Sequence, residues 1–111
     1  MRRILSFSLI FLAFLGLFPV QLSYAQCKES QIRTQKYIET GFVMEMRNDY
    51  REWYVDRDVW SYFTFSQKEQ AVKALSAIRY KCDGYLSIKV FDGHTGETLA
   101  KRGSFGIKIF K

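Results

Sequence analysis

Five carboxylates lie close together in one stretch of the sequence and are the side chains best suited to acid–base chemistry. They are Glu45, Asp49, Glu52, Asp56 and Asp58. Paired carboxylates hydrolyse glycosidic bonds when one donates a proton and the other acts as base or nucleophile. Arg47, Arg51 and Arg57 interleave with them, a pattern typical of a solvated surface whose charges screen each other. We therefore expect a non-catalytic protein, and a small hydrolase that uses carboxylates near Asp49 is only our third hypothesis.

The chain has two cysteines, Cys27 and Cys82, and one histidine, His94. These fall short of the usual four zinc ligands, and His94 lies in a glycine-rich turn, so we predict no metal site. The sequence contains no glycine-rich phosphate loop, and we expect no cofactor. A small exported domain commonly needs a covalent cross-link because its core is small. We predict a Cys27–Cys82 disulfide, which the chain-entropy model values at about 4 kcal/mol.

The segment from Tyr50 to Phe65 is unusually rich in aromatic residues. These are Tyr50, Trp53, Tyr54, Trp60, Tyr62, Phe63 and Phe65. Some must fill the core, but Tyr, Trp and Arg also dominate the anchors of protein interfaces. We predict that Trp60 packs in the core and that Trp53, between Arg51 and Asp56, is exposed. The candidate binding surface consists of Tyr50, Arg51, Trp53, Tyr54 and Arg57, and burial of both tryptophans would remove its main support.

The first 25 residues have the composition of a secretory signal peptide. A charged start and an apolar run from Ile4 to Phe18 precede the small residues Ser23 and Ala25, which suit a cleavage site. We predict cleavage after Ala25, which leaves residues 26–111 as one small domain, periplasmic or secreted. A retained membrane anchor is the alternative, but the run is shorter than the about 20 residues that span a bilayer.

The charge of the chain is positive but modest. It carries 17 Lys and Arg residues against 11 Asp and Glu, and removing Arg2 and Arg3 lowers the formal net charge from +6 to +4. Acids and bases are interspersed, which argues against nucleic acid as a partner and is compatible with a mild attraction to anionic envelope polymers. We also expect no stable membrane insertion after cleavage.

The clearest helix begins at Ser66 and ends before Gly84. Ser66 and Glu69 have the spacing of a capping box, and Gly84 can adopt the left-handed conformation that ends helices. Residues at helical spacing predict an apolar face formed by Ala71, Val72, Leu75 and Ile78. Basic residues predict a solvent-facing side formed by Lys68, Lys73 and Arg79.

Alternation of apolar and polar residues predicts the strands. In the first, Phe42, Met44 and Met46 alternate with Val43, Glu45 and Arg47. A three-stranded meander follows the helix, with strands in Tyr85–Phe91, Glu97–Arg102 and Phe105–Phe110 and a tight turn at 92–96. Leu86, Ile88 and Val90 should face the helix, whereas Tyr85, Lys89 and Phe91 should point outward. Cys27–Tyr37 is polar and predicts either a short helix or an irregular arm.

These patterns together predict a small two-layer α+β domain, in which one amphipathic helix packs on an antiparallel sheet made of the N-terminal strand and the C-terminal meander. The expected function is binding of a protein partner in the cell envelope or outside the cell. The alternative is an envelope-glycan-binding module that uses exposed Trp and Tyr side chains. If Trp53 is buried, the outward strand residues Tyr85, Lys89 and Phe91 become the next candidate surface.

Overall fold

A computed structural model describes the backbone of residues 18–110 and the side chains of residues 27–110. The elements in chain order are α1 (Phe18–Glu39), β1 (Val43–Arg47), β2 (Glu52–Val55), α2 (Arg57–Tyr62), α3 (Phe65–Asp83), β3 (Ile88–Asp92), β4 (Thr98–Gly103) and β5 (Gly106–Ile109). Residues 1–17 of the predicted signal peptide lie outside the described residues, and the backbone of residues 18–25 belongs to α1.

The five strands form one sheet in the order β1-β2-β3-β4-β5. All neighbours are antiparallel except β2 and β3, which are parallel and are joined by a crossover containing α2 and α3. The predicted α+β class, with helices packed on a sheet, is confirmed. The sheet is mixed rather than antiparallel because it includes β2, which pairs in parallel with β3. The sequence did not predict β2 because a strand of four residues is too short to show a recognisable alternation.

The helices cover one face of the sheet, which we call the inner face. Cross-strand neighbours Trp53, Val90 and Ala100 lie in one row of this face and are fully buried. Helix α3 contributes Val72, Leu75 and Ile78, as its periodicity predicted. Burial of such side chains contributes roughly 1.5–3 kcal/mol each and provides most of the stability of a domain this small.

The N-cap of helix α3 lies two residues earlier than the sequence predicted. Thr64 is the N-cap: its hydroxyl accepts from the N–H of Gln67 at 3.1 Å, and the Gln67 side chain accepts from the N–H of Thr64 at 2.9 Å. The box predicted at Ser66 and Glu69 is therefore wrong, because a second residue pair with the same spacing lies just upstream. Gly84 ends the helix in the left-handed conformation, with φ 82°, as predicted.

The predicted disulfide is confirmed, and it joins α1 to α3. Cys27 and Cys82 are 55 residues apart in sequence, and their Cα atoms are 4.6 Å apart. A buried hydrogen bond from the Ser30 hydroxyl to the carbonyl of Ile78, at 2.7 Å, connects the same two helices. The polar segment Cys27–Tyr37 is thus helical and packs on α3, but it belongs to a helix of 22 residues rather than to the short helix predicted as one alternative.

Two irregular pairings explain where the predicted alternation is wrong. Val43 pairs with Val55 and Glu45 with Tyr54, so Met44 is an extra residue in β1 and the alternation reverses there. Leu99 is the extra residue in β4, between partners of Val90 and Phe91. A single extra residue moves the following side chains to the opposite face.

Two side chains also differ from their predicted environments. Leu86 precedes β3 and is exposed, so it does not face the helix with Ile88 and Val90. Arg79, predicted to face solvent, is buried because it forms an ion pair with Asp83 and donates to the carbonyl of Ser87.

Candidate functional site

The five residues of the binding surface predicted around Trp53 do not form one exposed patch. Trp53 is 0% exposed, and its indole N–H donates to the carbonyl of Tyr50 at 2.9 Å. Tyr50 is itself 7% exposed, and Trp60 is 3% exposed, in the core as predicted. The prediction that Trp53 is exposed is therefore wrong, and the candidate binding surface loses its main support because Tyr50 and Trp53 are both buried.

The remaining three residues of that prediction lie far apart in the fold. Arg51 precedes β2, and Arg57 begins α2 after the other end of the strand. Tyr54 alone projects from β2 on the side opposite Trp53, because successive side chains of a strand alternate. The five residues are thus divided among the core, the two ends of β2 and the uncovered side of the sheet.

The guanidinium of Arg57 is bound to two carboxylates of this chain. Its Nη1 donates to Asp92 Oδ2 at 2.9 Å and to Glu97 Oε1 at 3.1 Å. Asp92 is fully buried and also accepts from the backbone N–H groups of His94 and Thr95. The His94 bond is the main cause that lowers the pKa of Asp92, and Arg57 adds to it. Arg57 therefore fastens α2 to the turn between β3 and β4.

Three of the five acidic residues, Glu45, Asp49 and Asp56, lie in different local environments. Asp56 caps α2 by accepting from the N–H of Asp58 at 2.8 Å, and the side chain of Asp49 is almost fully exposed. Glu45 forms an ion pair with Arg47 at 2.8 Å, which lowers its pKa. A glycosidase acid needs a raised pKa, so the hydrolase hypothesis gains no support from these residues.

The side of the sheet opposite α1 and α3, the outer face, carries exposed or half-buried side chains. It is formed by Glu45, Arg47, Glu52, Tyr54, Lys89, Phe91, Thr98, Lys101 and Lys108. The pairing register arranges them in two rows that run across the strands. One row consists of charged side chains only, and the other contains both aromatic rings.

The aromatic row has a defined geometry. Tyr54 and Phe91, on the parallel strands β2 and β3, are stacked with ring centroids 4.9 Å apart and planes inclined by 21°. The guanidinium of Arg47, from β1, lies 4.5 Å from the Tyr54 ring centroid. Stacking and cation–π contacts of this kind stabilise their members by about 0.5–1.5 kcal/mol. A cation and two rings are thus held in fixed positions on three adjacent strands.

The charged row places three lysines side by side. Lys89 is directly opposite Lys101, and Lys101 is directly opposite Lys108. Like charges directly opposite each other in a sheet are destabilising. Glu52 and Arg47 complete the row on β2 and β1. When Glu45 is included, the outer face carries four basic and two acidic side chains, so its net charge is positive.

Lys89 and Phe91 are two of the three outward residues that the sequence suggested as the next surface. Tyr85, the third, lies before β3, and its ring is 5.2 Å from the guanidinium carbon of Arg79. Alternation in β3 was the signal that located Lys89 and Phe91. Tyr54 was found only through its aromatic character, because β2 itself was not predicted.

Among residues 18–110, no group of three or more His, Cys, Asp or Glu side chains is placed to hold a metal ion. No helix within the same residues is long and apolar enough to cross a bilayer.

The chain matches no protein-family model, and no curated protein or solved structure is significantly similar to it.

Proposed function

We propose that this chain is an exported, non-catalytic binding domain that holds a protein partner with an acidic surface on the outer face of its sheet. The observation that supports this most is the contact of Arg47 with the stacked rings of Tyr54 and Phe91, beside the three lysines of the charged row. Aromatic residues and Arg are enriched at interface anchors, whereas most surface positions contribute little.

Export is supported by two observations of different kinds. The charged and apolar composition of residues 1–25 is that of a signal peptide. The Cys27–Cys82 disulfide is the cross-link expected in an oxidising compartment, since cytosolic thiols are kept reduced. The protein therefore functions in the periplasm or outside the cell.

A protein partner fits the aromatic row better than a glycan does. Sugars stack on the open face of an aromatic ring, but the Tyr54 ring has Phe91 stacked against it and Arg47 above it, contributed by strands on either side. Both tryptophans, which would offer larger stacking surfaces, are buried. Glycan binding is therefore an outcome that the experiment below must exclude.

The charge of the outer face defines the chemistry of the partner. Arg47 is paired with Glu45, whereas Lys89, Lys101 and Lys108 have no acidic side chain within 4 Å among the described residues. Complementary charge speeds association and selects partners, and salt screens it over about 10 Å. We therefore expect an acidic partner whose association slows as salt is raised.

The test is site-specific photo-crosslinking in the producing cell, followed by measurement of affinity. A photoreactive residue at Lys89 or Lys101 should crosslink to one protein, whereas the same residue at Lys73, an exposed lysine of α3, should not. The purified partner should bind the wild-type domain with an affinity that falls at high salt. Tyr54→Ala should weaken that affinity about tenfold or more, as loss of an anchor does.

A matched control is Tyr62→Ala, because Tyr62 is 86% exposed and lies on α2, away from the outer face. It should leave the affinity unchanged. Equal crosslinking from Lys73 and Lys89, or binding of a saccharide that Tyr54→Ala abolishes, would contradict the proposal.

A further inference from the structure

A cleft lies at one end of the sheet, where β2 and β3 begin and β4 ends. Its volume is about 390 Å³, within the range of small-molecule sites. Five of the residues that line it are basic: Arg51, Arg79, Lys89, Lys101 and Arg102. Glu52 is the one acidic residue of the lining. We call this the basic cleft.

Arg79 gives the basic cleft a donor that is fixed in place. Its side chain is 8% exposed, its Nε donates to Asp83, and its Nη1 donates to the carbonyl of Ser87. Its Nη2 has no hydrogen-bond partner among the described residues. Because Nε and Nη1 are already hydrogen-bonded, the guanidinium has a fixed orientation and its remaining N–H donors point in a constant direction. Little side-chain entropy is therefore lost when these donors bind a ligand.

Three of the other four cations of the basic cleft have no acidic side chain among the described residues close enough to neutralise them. Lys89 and Lys101 are directly opposite each other in the sheet, and neither they nor Arg102 have a carboxylate within 4 Å in the part of the chain that the structure describes. Glu52, Asp83 and the Asp49 carboxylate near Arg51 are three negative charges against five positive ones. Two positive charges remain in one concave site.

We propose that the basic cleft binds a dianionic phosphate group. Guanidinium forks match the oxygen geometry of phosphate and can donate two parallel hydrogen bonds, and lysines add charge without directional demand. A dianion would balance the two remaining positive charges and relieve the repulsion between Lys89 and Lys101. The group can be free inorganic phosphate or a phosphate monoester on a larger molecule, since both present the same oxygens.

Titration calorimetry of the disulfide-bonded protein with inorganic phosphate, glycerol 3-phosphate and acetate tests this. Both phosphates should bind saturably, and acetate should not. Glycerol 3-phosphate should bind more weakly as the pH is lowered from about 8 to about 5, because the phosphate takes up a proton near pH 6 while Arg and Lys stay charged. Tighter binding of glycerol 3-phosphate identifies a monoester as the ligand, and equal binding identifies the free ion.

Arg102→Gln should weaken phosphate binding about tenfold, the loss expected when one charge-assisted hydrogen bond is removed. Arg102 is half-buried at the end of the inner face and is not part of the outer face, so this result is independent of the proposed protein partner. Lys108→Gln is the matched control, because Lys108 continues the lysine row but does not line the basic cleft.

Arg79→Lys provides a second variant that keeps the charge next to Asp83 and removes the guanidinium fork. It should fold and should bind phosphate more weakly than the wild type. Absence of saturable phosphate binding, equal binding of acetate, or equal losses in Arg102→Gln and Lys108→Gln would overturn the proposal.

Discussion

Trp53 and Tyr54 are adjacent in sequence, and their side chains lie on opposite faces of the sheet. Trp53 is completely buried beneath the helices and donates a hydrogen bond to the backbone. Tyr54 stacks on Phe91 in the open, half-buried and within reach of Arg47. Both are large amphipathic rings in a segment rich in charge, so composition does not distinguish them. Their positions in β2 distinguish them, because successive side chains of a strand point to opposite faces of the sheet.

The same contrast extends over the two faces as a whole. The inner face depends on close packing, and a lost methylene there leaves a cavity that the surroundings do not fill completely. The outer face depends on contacts that span neighbouring strands and remain partly hydrated. Substitutions on the inner face should therefore change stability, and substitutions on the outer face should change binding.

The largest effect should come from Trp53→Ala. Removing a buried ring should lower the free energy of unfolding by about 3–5 kcal/mol, as core aromatic truncations do, and it also leaves the Tyr50 carbonyl without its donor. Tyr54→Ala, one residue away, should cost much less. Urea denaturation of the two variants measures the difference directly. Equal losses would mean that both sides of β2 are core.

The next largest effect should come from the cross-link that holds α1 against α3 on the inner face. Cys82→Ser should lower the free energy of unfolding by about 2–5 kcal/mol, because the reduced unfolded chain gains conformational entropy. Free-thiol titration of the native wild-type protein should detect no thiol at Cys27 or Cys82. Two reactive thiols, or an unchanged unfolding midpoint in the variant, would contradict a bridge that stabilises the inner layer.

A smaller effect should come from the cap of α3, which covers the inner face. Thr64→Ala should cost about 1 kcal/mol, since the N–H of Gln67 loses its acceptor. Ser66→Ala should change stability by less than about 0.5 kcal/mol, because Ser66 is exposed and is not the cap. Thermal melts of the two variants show whether Thr64 or Ser66 is the N-cap of α3. A larger loss from Ser66→Ala would restore the start that the sequence predicted.

The smallest effect should have the opposite sign and lie on the outer face. Lys101→Gln should raise stability by about 0.2–1 kcal/mol at low salt, because it removes a charge located between Lys89 and Lys108. High salt should reduce the gain, since exposed charges are screened. Lys73→Gln on α3 serves as the control and should change little. A loss of stability in Lys101→Gln would show that the lysine row is not repulsive.

Much of the fold could be predicted from local patterns. The spacing of Val72, Leu75 and Ile78 located α3, Gly84 located its end, and alternation located β3. The disulfide followed from the small size of the domain and its expected compartment rather than from any motif. These features depend on residues close in sequence or on the composition of the whole chain, which is why they were accessible.

The candidate binding surface was predicted less well, for two physical reasons. β2 has only four residues, which is too few for the alternation that separates Trp53 from Tyr54 to be recognised in the sequence. The lysine row and the basic cleft arise from strand pairing between residues as distant as Lys89 and Lys101, which depends on the whole fold. The extra residue Met44 likewise shifts a register that no local pattern reveals.

The most direct test measures binding affinity and the free energy of unfolding for a variant at one residue of the outer face. Tyr54→Ala should lower the affinity for the crosslinked partner about tenfold or more, while its free energy of unfolding falls by far less than that of Trp53→Ala. Unchanged affinity, or a loss of stability as large as that of Trp53→Ala, would contradict the assignment of binding to the outer face and of folding to the inner one.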